Sequence, residues 1–187
     1  MDRLIDDLAL TYRLRHDAGA AALEPADIGE LLAQSVQSAA AHPGYGGARV
    51  RCLTPARPIV AGIHAPWFSR VVVNLVANAM IHNPPETRLT VELRETPGGG
   101  WRVDFRDDGI GMDAETASLL FERYYRGTDT DRAPEGSGLG MAIAKTLVQA
   151  MGGRIEVRSA PGKGTTISLA WPPDASVEDV MERIATA

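Results

Sequence analysis

The 187 residues are 44% apolar and 23% charged, ordinary proportions for one globular domain that buries a core without a disulfide or a structural metal. The net charge of −5 sets up no global field for nucleic acid or anionic lipid, and no apolar run reaches the roughly 18 residues that cross a bilayer. A single cysteine, Cys52, excludes an internal disulfide; its apolar setting predicts a buried thiol and fits a reducing, cytoplasmic location.

Residues 1–16 read as a helix, with Leu4, Ile5, Leu8 and Tyr12 three and four apart between charges. The stripe is narrow and asks for a partner, because a short lone helix is marginal in water. A small-residue connector spans 17–26. Asp27-x-x-Glu30 has the pattern of a capping box and opens a helix to about Ala41, stopped at His42-Pro43-Gly44. Arg49–Leu53 and Pro58–Ala61 are short extended runs. Ala65–His82 predicts an amphipathic helix with Phe68, Val71, Val72, Leu75, Val76 and Ala79 on one face, ended by Asn83-Pro84-Pro85. Arg88–Glu95 alternates, turns at Gly98-Gly99-Gly100 and returns as Trp101–Asp107, a hairpin. Ala114–Phe121 is a short helix. Residues 126–137, polar and broken by Pro and Gly, read as a mobile loop. Leu139–Met151 is helical, and Arg154–Ser159 and Thr165–Trp171 are strands about a turn at Ala160–Gly164. Val177, Val180, Met181 and Ile184 mark a last amphipathic helix. Helices interleaved with hairpins predict an α/β sandwich with helices over one face of a sheet.

Four motifs carry chemistry. Asn74 and Asn78 are four apart, so two carboxamides share one face of an otherwise apolar helix. Amide oxygens suit Mg²⁺, which keeps waters and takes one or two protein groups plus phosphates; the pair also reads as polar residues bonded to backbone near a helix end. Asp107-Asp108-Gly109-Ile110-Gly111-Met112 leaves a strand. Its acid can accept from an exocyclic amine and its glycines admit a flat base, though an ordinary Asp-Gly turn has the same letters. Gly136-Ser137-Gly138-Leu139-Gly140 opens a helix, where backbone N–H groups and the helix dipole favour phosphate. Gly162-Lys163-Gly164-Thr165 joins the last two strands.

In this order the motifs resemble the ATP-binding domain of the GHKL superfamily (gyrase, the heat-shock-90 chaperones, histidine kinases, MutL), most nearly that of sensor histidine kinases. NLVANA looks like the N box, DDGIGM the G1 box, LLFERYYRG the F box, GSGLGMAIAKTLVQAMGG the G2 box and GKGTTISLAWP the last glycine box. The match runs from about Asp27 to Pro172. It implies a Bergerat fold, a two-layer sandwich with a mixed sheet. It divides the chain into the end of a second dimerization helix (1–18), a linker (19–26), the catalytic ATP-binding domain (27–173) and a C-terminal helical extension (174–187).

The resemblance also implies roles. Asn78 matches a Mg²⁺ ligand, and Asn74 matches the place where ATPase members carry a water-activating glutamate. An amide deprotonates water poorly, so ATP should survive for transfer. Asp107 matches the acceptor of the adenine amine, with Gly109, Gly111 and Met112 about the base and Thr165 beside it. Phe121 and Arg126 belong to the F box, Arg126 reaching the terminal phosphate. Gly136, Gly138, Leu139 and Gly140 match the phosphate lid. His82 is expected to be structural or near the phosphates. Two positions depart from the pattern: Ile81 stands where Lys or Arg is usual, and Ile63 follows Gly62 where an acid is frequent.

None of His16, His42, His64 or His82 lies in a phosphoacceptor box. The expectation is therefore a monomeric fragment of a homodimeric kinase, cytoplasmic, in a parent free or anchored in the membrane elsewhere. It would donate the γ-phosphoryl of Mg-ATP to a histidine on its own dimerization domain, for relay to a response regulator, without contact to nucleic acid or membrane. The alternatives are a serine kinase of the anti-sigma-factor type, which shares the pocket, and a degenerate interaction module that binds nucleotide or nothing.

Overall fold

The computed structural model describes residues 23–42, 49–122 and 139–173. The helices expected at 1–16 and near 177–184 and the loop expected at 126–137 lie outside the described residues. In chain order the elements are β1 (Glu24–Asp27), α1 (Ile28–Ala40), β2 (Val50–Leu53), β3 (Val60–Ile63), α2 (Ala65–Ile81), β4 (Leu89–Glu95), β5 (Trp101–Asp107), α3 (Ala114–Leu119), α4 (Gly140–Ala150), β6 (Arg154–Ser159) and β7 (Thr165–Trp171).

The strands form a five-stranded mixed sheet in the order β2-β4-β5-β7-β6 and a small antiparallel pair, β1-β3. β2 runs parallel to β4, and every other pairing in the large sheet is antiparallel. Both predicted hairpins form, β4–β5 and β6–β7. Strand alternation then puts Leu89, Val91 and Leu93 of β4, Val103 and Phe105 of β5, and Ile167 and Leu169 of β7 on one buried side. The helices cover that side. α1 brings Ile28, Leu32 and Val36, α2 brings Phe68, Val71, Val72, Leu75 and Val76, and α4 brings Ile143, Leu147 and Val148. Trp101 and Trp171, paired across β5 and β7, stack at 4.1 Å, and Phe68 meets both rings at about 6 Å. The α/β two-layer sandwich is as expected.

Local chemistry fixes the helix starts. Asp27 Oδ1 accepts from the N–H of Gly29 (2.8 Å) and Glu30 (3.3 Å), while Glu30 itself accepts from Gln34 rather than closing the second half of a capping box. His64 Nδ1 accepts from Trp67 N–H and caps α2, a structural use of that histidine. Asp113 caps α3, which ends at Leu119, two residues before the expected Phe121.

Two expectations are corrected. Glu24–Ala26, read as connector, are paired strand, and the strand read at Pro58–Ala61 lies at Val60–Ile63. The two errors have one cause, since β1 and β3 exist only through each other. Pro25 is tolerated because an edge strand needs few of its N–H groups, and Ile59 is occupied in accepting from Ile28 N–H. Cys52 is half-buried on β2 with its thiol pKa raised by burial. Among the described residues no helix is long and apolar enough to cross a membrane.

Candidate functional site

The apolar face of α2 points at the sheet, which leaves its other face to carry Asn74 and Asn78, both partly exposed. Asn74 Nδ2 donates to the carbonyl of Gly140 at 3.0 Å, so the asparagine ties α2 to the first turn of α4. Part of the backbone-bonded alternative thus holds for Asn74. Among the described residues the Asn78 carboxamide makes no hydrogen bond, and an amide oxygen stands available to a ligand.

Asp107 ends β5 on the helix-covered side and is 7% exposed. Its Oδ1 accepts from Gly109 N–H at 3.0 Å and from Thr165 N–H at 3.1 Å. Both bonds fall on Oδ1, and Oδ2 is the oxygen left for a ligand donor. Burial raises the pKa of this carboxyl, the two backbone N–H groups oppose the shift, and the neighbouring Asp108 charge adds to it.

The turn after Asp107 is held at three points. Asn83, just past α2, accepts at Oδ1 from Ile110 N–H (3.0 Å) and donates from Nδ2 to Ala79 O (3.0 Å). Gly162 N–H donates to Ile110 O at 2.6 Å. Ser159 Oγ accepts from Met112 N–H at 2.8 Å and donates to Gly164 O at 3.0 Å. Asp108, pointing away, accepts from Arg88 N–H. The glycines are required by contact. A Cβ on Gly109 would collide with the Asn83 carboxamide; one on Gly111, at φ +66, would collide with Ala160 O.

The end of α2, the Asp107–Met112 turn, the start of α4 and the β6–β7 turn therefore form one hydrogen-bonded rim. Of the expected site residues, Asn74, Asn78, His82, Asp107, Gly109, Gly111, Met112, Gly140 and Thr165 lie on that rim. Leu139 is buried beside it as the N-cap of α4. Phe121 packs partly buried against the core beyond α3. Arg126, Gly136 and Gly138 lie outside the described residues. His82 caps α2 through its N–H to Asn78 O, and desolvation lowers its pKa, so its ring is neutral near pH 7. Ile81 is 41% exposed and supplies no charge.

Asn83 and Ser159 were missed as site residues. Asn83 reads only as a helix stop, and Ser159 only as a strand end. Their partners are 27 and 47 residues away, and no local signal marks them.

A buried acid bonded to a glycine turn, amides on a helix face and a helix start opposite them describe a nucleotide-holding cleft. A family model described as histidine kinase-, DNA gyrase B-, and HSP90-like ATPase matches residues 64–175. The chain belongs to this family. It is 36% identical over 169 residues to sensor histidine kinase YvrG of Bacillus subtilis, covering 90% of this chain and 29% of that protein. To sensor histidine kinase AruS of Pseudomonas aeruginosa it is 40% identical over 126 residues, covering 59% and 13%. The solved structure of the mycobacterial sensor histidine kinase MprB superposes with a TM-score of 0.66 at 27% identity, over 80% of this chain and 97% of that one. The histidine kinase-like ATPase domain here is thus a catalytic ATP-binding domain of the sensor-kinase kind, and it spans less than a third of these two curated relatives.

Proposed function

We propose that this domain holds Mg-ATP in the rim cleft and donates its γ-phosphoryl to a histidine on the dimerization domain of the protein it serves, for relay to a response regulator. The observation that carries the reading is Asp107, buried and fixed by two backbone N–H groups with one oxygen free to accept from adenine. Gly109, Gly111 and Met112 would shape the base pocket and Thr165 would close it. Leu139 and Gly140, with Gly136 and Gly138, would present backbone N–H groups to the phosphates, and Phe121 and Arg126 would border the terminal phosphate. His82, neutral, would line the site without adding charge.

Among the described residues no cluster of three or more His, Cys, Asp or Glu side chains could hold a metal by itself. A hard cation brought with the phosphates fits that donor set, with Asn78 as its protein ligand; when bound, Mg²⁺ neutralises phosphate charge. Asn74 is already a donor to Gly140 O and cannot act as a base, so hydrolysis should be slow. Catalysis by the domain is then positioning and electrostatics. We assign residues 1–18 to a dimerization helix, 19–26 to a linker whose last residues pair with β3 as part of β1, 27–173 to the catalytic domain, and 174–187 to an extension. The domain would act in the cytoplasm, monomeric alone and paired in a homodimeric parent.

The test is incubation with γ-labelled ATP. The chain alone should take up negligible label, and acid-labile label should appear on a supplied dimerization domain bearing the acceptor histidine. Stable label on the 187-residue chain itself, or none on the supplied domain despite ATP binding, would overturn the reading.

A further inference from the structure

The sheet face away from the helices is organised in rows of charge. Strand register places Arg51, Thr90, Arg106, Thr166 and Arg158 side by side across all five strands. Two residues further along the strands, Leu53, Glu92, Asp104, Ser168 and Glu156 form a second row, acidic at three places, and beyond it Arg94, Arg102, Ala170 and Arg154 form a third. Side chains two apart on a strand share a face, so the three rows stand on one surface. A depression of about 450 Å³ opens between them.

On β4 and β5 the second and third rows are joined by ion pairs, and on β6 Glu156 and Arg154 balance in charge though no ion pair joins them among the described residues. Asp104, 3% exposed, receives the guanidiniums of both Arg94 and Arg102, and Arg102 also donates to Ser168. Arg94 Nε lies 3.8 Å from Glu92 as well. The first row has no such balance. Arg51, Arg106 and Arg158 are exposed, and among the described residues no hydrogen bond or ion pair engages them. Three uncompensated cations in a line stand out on a chain of net charge −5.

We infer that this row is a docking surface for an acidic helix of a protein partner. The three arginines sit on every second strand, which spaces them by about 10 Å. A helix presents the same face every seven residues, or about 10.5 Å. Carboxylates one heptad apart therefore fall into step with the row, with the short Thr90 and Thr166 between the contact points. Selectivity comes from the breadth of the ligand: the acidic row begins about 7 Å away. A phosphate-dense strand or a lipid surface spread over this face also covers the second and third rows, whose charges cancel and add no attraction, whereas a helix with a single acidic stripe engages the arginine row alone. The surface lies on the opposite side of the sheet from the nucleotide rim, so docking there does not compete with ATP.

The experiment uses a fluorescent helical peptide of three heptads with one glutamate at the same position of each, and its glutamine counterpart. Binding is read by anisotropy at low salt with the full chain and with the triple variant Arg51→Gln/Arg106→Gln/Arg158→Gln. The glutamate peptide should bind about tenfold or more tightly than the glutamine peptide, lose that advantage in the triple variant, keep it in Arg154→Gln, and weaken with added salt. ATP affinity should be the same in all proteins. Equal binding of the two peptides, no loss in the triple variant, or tighter arginine-dependent binding of a single-stranded oligonucleotide or of phosphatidylserine vesicles would overturn the inference.

Discussion

Asp107 makes stability and function pull in opposite directions at one residue. Burial holds its carboxyl pKa above the usual range, offset by Gly109 and Thr165 N–H and reinforced by Asp108. An acid whose folded pKa is raised stabilises the fold most at acid pH, and that contribution falls as pH rises through the raised value. Asp107→Asn removes the charge and keeps an oxygen for both N–H groups. Thermal unfolding at pH 7 should show a variant at least as stable as the parent, whereas calorimetry should show ATP affinity reduced about tenfold or more, ~1.4 kcal/mol. Lower stability with unchanged affinity would make Asp107 a fold residue instead. Asn74 gives a second contrast. Its amide donates to Gly140 O, so Asn74→Asp sets a carboxylate against a carbonyl oxygen. Urea unfolding should rank Asn74→Asp below Asn74→Ala, with a loss of about 1–3 kcal/mol from the parent; the opposite ranking would remove the structural reason for an amide here. Asn83 bridges α2 and the base turn through Ile110. Asn83→Ala should speed hydrogen exchange at Ile110 and weaken ATP binding while leaving the α2 amides protected; unchanged exchange at Ile110 would show that Gly162 and Ser159 suffice to hold the turn.

The elements differ in how far they announce themselves. α1, α2 and α4 carry apolar residues at three- and four-residue spacing with caps or breakers at their ends, and β4–β7 alternate about glycine turns, so residue order alone marks them. β1 and the true span of β3 carry no such mark, because each is stabilised by pairing with a segment more than 30 residues away. The site divides the same way. Asp107, Asn78 and the glycines sit in motifs whose spacing has a chemical meaning, while Asn83 and Ser159 acquire a role only when the turn folds against them. The charged face of the sheet shows the same principle, since its rows exist in register and nowhere in the linear chain. Its buried acid is testable. Desolvation would raise the Asp104 pKa, but Ser168, Arg102 and Arg94 outweigh it and hold the carboxyl below its ordinary value. A depressed acid stabilises the fold above its unfolded pKa and loses that contribution as pH falls through the folded value. Asp104→Asn should therefore cost about 1–2 kcal/mol at pH 7, with the gap to the parent closing below about pH 4. A gap that persists in acid would assign the effect to packing.

At the scale of the molecule, one sheet separates two surfaces. The helix-covered side ends in the rim where α2, the Asp107–Met112 turn, α4 and the β6–β7 turn are bonded together, and the side that no helix among the described residues covers carries the arginine row. Such a division suits a domain that holds a nucleotide on one side while it is presented to another protein. The central claim is that the rim reads adenine through the free oxygen of Asp107. Inosine triphosphate keeps the ring and phosphates of ATP but replaces the exocyclic amine with a carbonyl, turning a donor toward Asp107 into an acceptor. Calorimetric titration of both nucleotides with Mg²⁺ measures the claim directly. The parent chain should bind ATP about tenfold or more tightly than inosine triphosphate, and Asp107→Asn should shrink that preference; equal affinities for the two nucleotides in the parent would contradict it.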